Sequence, residues 1–337
     1  LEGARYSAQW SGAPYSVYSS RKGTDDYADD INTRSMMTNW LGGGSVYMPT
    51  LEGKNVPLEL SLAVHSDAGF APNGKDLVGS LAICTTDFND GVLSSGISRQ
   101  TSKDLARALL ENVTTDITKK YGKWSKRYLW DRNYSETRLP EIPSAILETL
   151  SHQNFPDVKL AQDPMFKFTL ARSIYKTILR FISSNHGQDY VVEPLQPDNF
   201  SVTIEQKGKA RLSWDGQTDP QEPSAAPTSY IIYVAKGEEG FDNGTIIQTN
   251  ACEIQLLPNT PYRFKVTACN AGGESFPSET LSALYRPNSE GTILIVNGFH
   301  RLASPQVVDN DSLQGFDMTA DPGVSYGMTA GWNGLQT

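Results

Sequence analysis

The chain has 337 residues, more than one compact core usually organises, which predicts two or three domains. With 38% hydrophobic and 20% charged residues the composition is that of a globular protein, and no apolar run approaches the roughly 20 residues needed to cross a bilayer. The net charge of −9 argues against a non-specific nucleic-acid binder, which needs a basic face, so we expect no nucleic-acid partner and no membrane span.

Residues 1–190 are predicted to mix strands and helices. The run "LELSLAVH" places Leu60, Leu62 and Val64 on one side of an alternating pattern, which predicts a strand that ends at His65 with those residues facing the core. A second strand is predicted in "EIPSAILETL", opened by Pro143 and ended by Glu148.

Two helices are predicted in the same region. Apolar residues recur at helical spacing in "TSKDLARALLENVTTDITKKY", residues 101–121, with Ser102 as the expected cap. The same spacing recurs over residues 164–185, where Pro164 stands near the start. Strands that alternate with helices predict an α/β domain with a mainly parallel sheet covered on both faces.

Residues 191–198, which contain two prolines, are predicted to be a linker, and short alternating runs between turn signals follow over residues 199–287. This pattern predicts an all-β, immunoglobulin-like sandwich. The run "LLPNTPYRFKVTACNAGGESFPS" resembles the second half of a fibronectin type III domain, with Trp214 in an early strand and Tyr262 at the tyrosine-corner position.

The final region, residues 288–337, begins with the apolar run "GTILIVNGFHR" and ends in a Gly-rich tail. It resembles the first strand and loop of another α/β domain, so we predict a third domain that is truncated after its start. The tail is too short to build a core, and it either packs on its neighbours or is the stub of a longer protein. The predicted chain is therefore multidomain: an α/β domain, a β-sandwich and the beginning of a further α/β domain.

Three cysteines are too few for a disulfide framework. Cys84 follows an apolar run and is predicted to be a buried thiol. Cys252 and Cys269 either pair or remain two buried thiols, and the sequence leaves both readings open.

His65 and Glu148 stand out because each is predicted at the end of a strand. Ligands and reactive groups gather at the carboxyl ends of strands in an open parallel sheet. A neutral imidazole and a carboxylate brought together there have the chemistry of a metal ligand and a general base.

The motifs "SLAVHSDAG" and "IPSAILETLSHQNFPD" resemble those of the zinc-dependent N-acetylmuramoyl-L-alanine amidases. The resemblance covers the latter two-thirds of the amidase domain and implies that His65 binds zinc and that Glu148 is catalytic. It implies supporting or substrate-contacting roles for Asp67, Asn154 and Arg34, the last of these in "DDINTRSMMTNWL".

This resemblance further implies a hydrolase of the bacterial cell envelope that is secreted, periplasmic or displayed on the cell surface, with peptidoglycan as its substrate. Family members complete the zinc site with a histidine from a Gly-rich loop and a glutamate. Neither motif occurs ahead of His65, so one Zn²⁺ site is expected whose two further ligands lie upstream of Leu1.

Other polar residues can be explained without a role in catalysis. His152, four residues after Glu148, is either a substitute ligand, a substrate contact or a solvated loop residue. His186, just past a predicted helix end, has no chemical role assigned. The acidic run "DDYADD" lacks the glycine and the terminal glutamate of an EF-hand, which favours a solvated loop or a helix start over a calcium site.

Two further functions are open at this stage. A degenerate amidase-like domain would make the chain a non-catalytic surface protein that binds glycan or peptide, because a fold alone does not determine function. A polysaccharide-active, lyase-type enzyme would carry its chemistry in the truncated third domain. The sequence does not indicate an oligomeric state.

Overall fold

The computed structural model describes residues 3–296 and 303–323. The described residues form two compact units, the first from residues 3–185 and 303–323 and the second from residues 186–296. None of the helices in the described ranges combines the length and the apolar character that a membrane span requires.

The first unit begins with helices and then alternates strands with helices. Its helices are α1 (Gly3–Trp10), α2 (Tyr15–Tyr18), α3 (Asp26–Gly42), α4 (Gln100–Tyr121), α5 (Ser135–Arg138), α6 (Phe155–Ala161) and α7 (Pro164–Asn185). Its main strands are β1 (Ser61–Asp67), β2 (Ser80–Cys84), β3 (Lys126–Asp131) and β4 (Ser144–Ser151). The predicted α/β character of this region is confirmed.

The four strands form one sheet in the order β1-β4-β2-β3. Strands β1 and β4 pair in parallel, as do β2 and β3, but β2 and β4 are antiparallel. The sheet is therefore mixed, and the prediction of a mainly parallel sheet is only partly right. The connection from β1 to β2, residues 68–79, contains no helix, so no helical crossover constrains β2 to run parallel to β1.

The main core lies between the sheet and helices α4 and α7. Both predicted helices are confirmed, and the predicted apolar residues of α4 are completely buried: Leu105, Leu109, Val113 and Ile117. Each such side chain contributes about 1.5–3 kcal/mol by leaving water. Ser102 is not the cap as predicted; it lies inside α4, buried, where its Oγ accepts a hydrogen bond from the Ser144 N–H at 3.1 Å.

A smaller cluster of Leu81, Ile83 and Ile146 covers the opposite face of the sheet, on which α5 packs. Strand β1 lies at the edge of the sheet, and Val64 is 53% exposed there instead of facing the core as predicted. Both site strands also continue past the residues predicted to end them, to Asp67 in β1 and Ser151 in β4.

The acidic run near the N-terminus stabilises helix α3, which confirms the helix-start reading. Asp25 is the N-cap, and its carboxylate accepts a hydrogen bond from the Ala28 N–H at 3.0 Å. Asp29 is completely buried and accepts hydrogen bonds from the backbone N–H groups of Arg21 and Gly23. Burial opposes its ionisation, but these hydrogen bonds keep the pKa of Asp29 below its usual value.

The second unit is a β-sandwich, as predicted. Its strands are β5 (Asp198–Ile204), β6 (Lys209–Asp215), β7 (Ser229–Lys236), β8 (Thr245–Ile247), β9 (Ala251–Gln255), β10 (Pro261–Asn270), β11 (Gly273–Glu274) and β12 (Leu281–Leu284). One sheet has the order β5-β6-β9; the other has the order β11-β10-β7-β8, with β12 also paired to β10. Trp214 is buried between them against Phe200 and Tyr230.

The predicted tyrosine corner is present, because the Tyr262 hydroxyl accepts a hydrogen bond from the Leu257 N–H at 3.3 Å. We expect Tyr262→Phe to lower the unfolding free energy of the second unit by about 1 kcal/mol, since it leaves that N–H without its partner. Faster hydrogen exchange of the β10 amides would report the loss. Tyr285→Phe is the control and should leave this exchange unchanged, because the Tyr285 hydroxyl makes no hydrogen bond within the described residues.

Cys252 and Cys269 do not form a disulfide. They lie on β9 and β10, which belong to different sheets of the sandwich. Burial raises the pKa of both thiols, and it raises the pKa of Cys84 to about 11. Cys252 and Cys269 are therefore two separate thiols and not a disulfide.

Residues 303–323 return to the first unit as a hairpin of β13 (Gln306–Asp309) and β14 (Gln314–Asp317). Phe316 packs on Phe155 of α6 with ring centroids 5.6 Å apart, and Lys159 lies 3.6 Å from Asp309. A third domain that starts at residue 288 stays a prediction, and Asn297, Gly298 and His300 lie outside the described residues.

We expect Phe316→Ala to weaken this docking by about 1–2 kcal/mol, because it removes an aromatic pair and part of the buried area. Hydrogen exchange of residues 306–317 should become faster. Leu313→Ala, at a position 60% exposed in the hairpin turn, is the matched control. Equal exchange in the two variants would contradict the packing described.

Candidate active site

His65 and Glu148 lie side by side on neighbouring strands. Their Cα atoms are register partners in the parallel pair of β1 and β4, and Leu81 of β2 is opposite Glu148 on its other side. Two residues earlier on each strand, Ala63 and Ile146 pack into the smaller apolar cluster. Because side chains alternate along a strand, His65 and Glu148 project from that same face of the sheet.

The side chains of His65 and Glu148 lie close together, but one oxygen of Glu148 lacks a hydrogen-bond partner within the described residues. His65 Nδ1 lies 3.7 Å from Glu148 Oε1. The other oxygen, Oε2, is buried and has no hydrogen-bond partner within the described chain. The Thr149 hydroxyl donates to the His65 carbonyl at 2.8 Å, which fixes the two strands to each other beside the pair.

A second glutamate completes the surroundings of His65. Glu136, on the short helix α5, places Oε1 at 3.4 Å from His65 Nε2, and Arg34 of α3 donates to the same oxygen at 2.8 Å. Sequence reasoning missed Glu136, because a four-residue helix carries no periodic signal. Arg34 lies near His65 through their shared contact with Glu136.

The surroundings of His65 shift the pKa values of Glu136 and Glu148 in opposite directions. The hydrogen bond to Glu136 raises the pKa of His65, which favours the imidazolium. Burial opposes the ionisation of Glu136, yet His65 and Arg34 outweigh it and keep its pKa below the usual range. Burial raises the pKa of Glu148. Glu136 is thus a fixed anion, while Glu148 is suited to exchange a proton.

Asp67 lies two residues beyond His65, at the end of β1. Its Oδ2 pairs with Arg127 of β3 at 2.8 Å, and its Oδ1 accepts a hydrogen bond from the Ala68 N–H at 2.8 Å. Asp67 raises the pKa of Glu148 and Arg127 lowers it, both more weakly than burial does. Asp67 therefore supports the end of the site strand and its charge balance.

Asn154 is buried and holds the connection that follows β1. Its Oδ1 accepts from the Ala71 N–H at 3.0 Å, and its Nδ2 donates to the Asp76 carbonyl at 2.9 Å. Each of these bonds goes to the backbone of residues 68–79. The structure places Asn154 as a support for that connection and gives it no contact with His65 or Glu148.

His152 is exposed beyond the end of β4. Its Nδ1 lies 3.2 Å from both the hydroxyl and the carbonyl oxygen of Ser66. Ser66 and His152 line one groove together with Leu150 and Phe166 of the main core, on the face of the sheet opposite the cluster that contains Ile146. His152 is therefore not brought together with Glu148.

A zinc ion takes four ligands, usually histidine, cysteine or carboxylate side chains. His65 faces two carboxylates, but one lies at Nδ1 and the other at Nε2, and a single metal binds only one of these nitrogens. In residues 3–296 and 303–323 no three His, Cys, Asp or Glu side chains are grouped to hold a metal. The described residues thus do not fit a zinc site by themselves.

Residues 195–283 match the family model of the fibronectin type III domain. This match confirms the predicted identity of the second unit. No curated protein matches the chain.

Solved structures with similar parts include a myokine, which is 22% identical, with coverage of 28% of this chain and 99% of that one, at a TM-score of 0.24. Another is the CwlD amidase of Clostridioides difficile, solved in complex with the GerS lipoprotein. It is 18% identical, with coverage of 47% of this chain and 64% of that one, at a TM-score of 0.34. Neither likeness is close enough to indicate a function.

Proposed function

We propose that the first unit is an amide hydrolase of the bacterial cell envelope that cleaves the bond between N-acetylmuramic acid and L-alanine in peptidoglycan. The motifs around His65 and Glu148 support the substrate class. The main support for hydrolysis is the environment of Glu148. Its Oε2 is buried without a hydrogen-bond partner among the described residues, and its Oε1 faces His65.

In this proposal Glu148 is the general base and then the general acid. Its carboxylate accepts a proton from the water that attacks the amide carbonyl and delivers that proton to the departing amine of L-alanine. A carboxyl group with a pKa raised by burial suits both steps better than an ordinary one. Such proton transfers contribute about 10²–10⁴-fold to rates.

His65 and its partners supply the charge balance in this scheme. Glu136 holds the imidazole through Nε2, and Arg34 keeps Glu136 ionised. Without a bound metal, the His65 imidazole, whose pKa the Glu136 hydrogen bond raises, lies beside the carboxylate that gains and loses a proton. Asp67, through Arg127, holds the end of the same strand.

Zinc belongs to the proposal as the implied cofactor. His65 would be one of its ligands, and two more are expected upstream of Leu1. Because the described residues do not complete that site, no step of the chemistry above is assigned to the metal. A secreted, periplasmic or surface location in a bacterium is part of the same proposal.

The test is the release of a new amino group from a muramyl-L-alanyl peptide incubated with the chain, with trace zinc and separately with a chelator. We expect one new amine per cleaved bond, identified by mass spectrometry as a peptide that begins with L-alanine. Absence of that product in both conditions would contradict the assignment of the cleavage to Glu148 and His65 in this chain.

A binding protein with a degenerate site is the second candidate, and one observation favours it. Both ring nitrogens of His65 face carboxylates, an arrangement that is satisfied without a metal. Saturable binding of the muramyl peptide without any release of amine would support this function.

A further inference from the structure

A groove of about 340 Å³ lies on the α6 and α7 side of the sheet. Ser66 and Thr149, the residues that follow His65 and Glu148, form part of its wall. Leu150 and Phe166, which also line the groove, belong to the main core, on the face of the sheet opposite the cluster that contains Ile146. The groove is therefore separate from the His65–Glu148 pair.

The interior of the groove is mainly apolar. Leu150, Phe166 and Leu170 line it together with Ala161, and Leu150 and Phe166 are themselves buried in the main core. Its volume is within the range of about 300–1,000 Å³ that small-molecule sites occupy. A short hydrocarbon chain matches this lining.

The polar groups at the groove are basic or neutral. Lys167 is exposed at the rim with His152, and none of the residues that line the groove is Asp or Glu. The chain as a whole has a net charge of −9, but the absence of carboxylates from the groove lining and the presence of Lys167 favour binding of an anion there. One ammonium group above an apolar wall matches one carboxylate at the end of a chain.

We propose that this groove binds a small amphiphile that consists of an aliphatic chain and a single carboxylate. The carboxylate pairs with the Lys167 ammonium, and the chain lies against Phe166 and Leu170. Thr149 connects the two faces of the sheet, because it lines the groove while its hydroxyl donates to the His65 carbonyl at 2.8 Å. The ligand itself touches neither His65 nor Glu148.

The probe is octanoate, titrated into the full chain by calorimetry beside octylamine, which has the same chain length and the opposite charge. We expect saturable binding of octanoate and at least tenfold weaker binding of octylamine. Lys167→Gln should weaken octanoate binding about tenfold, whereas Lys119→Gln, an exposed lysine of α4, should leave it unchanged.

A second variant, Ala161→Phe, fills the groove and should abolish binding while far-ultraviolet circular dichroism shows an intact fold. Equal affinity for octanoate and octylamine, or unchanged octanoate affinity in Lys167→Gln, would overturn the proposal. Glu148→Gln should bind octanoate like the unmodified chain, so failure of the hydrolase proposal and failure of this one are distinguishable.

Discussion

Glu148→Gln is expected to lower the rate of amide cleavage by about 10²–10⁴-fold, because glutamine keeps the shape of the side chain but neither accepts nor delivers a proton. The rate of the unmodified chain should fall as the pH is lowered through the pKa of Glu148. Burial raises that pKa, so the fall should come at higher pH than for an ordinary glutamate. The measurement is amine release as a function of pH.

Glu111→Gln is the matched control for this variant, since Glu111 is an exposed glutamate of α4 whose nearest cation, Lys126, lies 3.9 Å away. It should retain both the rate and the acid limb of the profile. A Glu148→Gln protein with an unchanged rate would remove Glu148 from the chemistry.

Asp157→Ala is expected to lower the unfolding free energy of the first unit by about 3–5 kcal/mol. The Asp157 carboxylate is completely buried and accepts hydrogen bonds from the backbone N–H groups of Val78, Gly79 and Ser151, at 2.9, 2.8 and 3.2 Å. Alanine leaves these donors buried without partners, at the point where the connection after β1 meets β2 and β4.

The midpoint of urea unfolding measures this loss, and hydrogen exchange of the β4 amides shows where in the unit it occurs. Asp104→Asn, at an exposed position in α4 where the carboxylate pairs with Arg107, provides the comparison and should shift the midpoint little. If Asp157→Ala and Asp104→Asn have equal midpoints, the buried carboxylate does not hold the connection as described.

The elements that the sequence predicted best are those with a strong internal period. Helix α4 follows the apolar residues that recur every four positions from Leu105 to Ile117, and the sandwich follows its alternating strands and the Tyr262 corner. Strand direction was predicted less well, since nothing local distinguishes a parallel β2 from an antiparallel one. The edge position of β1, which exposes Val64, is likewise a property of the whole sheet.

The site was predictable in part for the same reason. His65 and Glu148 were proposed from the local pattern of their strands, and their register partnership brings them together. Glu136 was missed because its contact with His65 depends on how a four-residue helix lies over the sheet. One signal was available in the sequence: the polar run "SETR", which contains Glu136, stands a few residues before the predicted strand that carries Glu148.

In the proposed function, His65 and Glu148 act as one unit in the cleavage of an amide bond. A double-mutant cycle of His65→Gln and Glu148→Gln, read as the rate of L-alanyl peptide release, tests it most directly. We expect the double variant to lose no more activity than the more damaged single variant. Losses that multiply would show that the two residues act independently and would contradict their joint action.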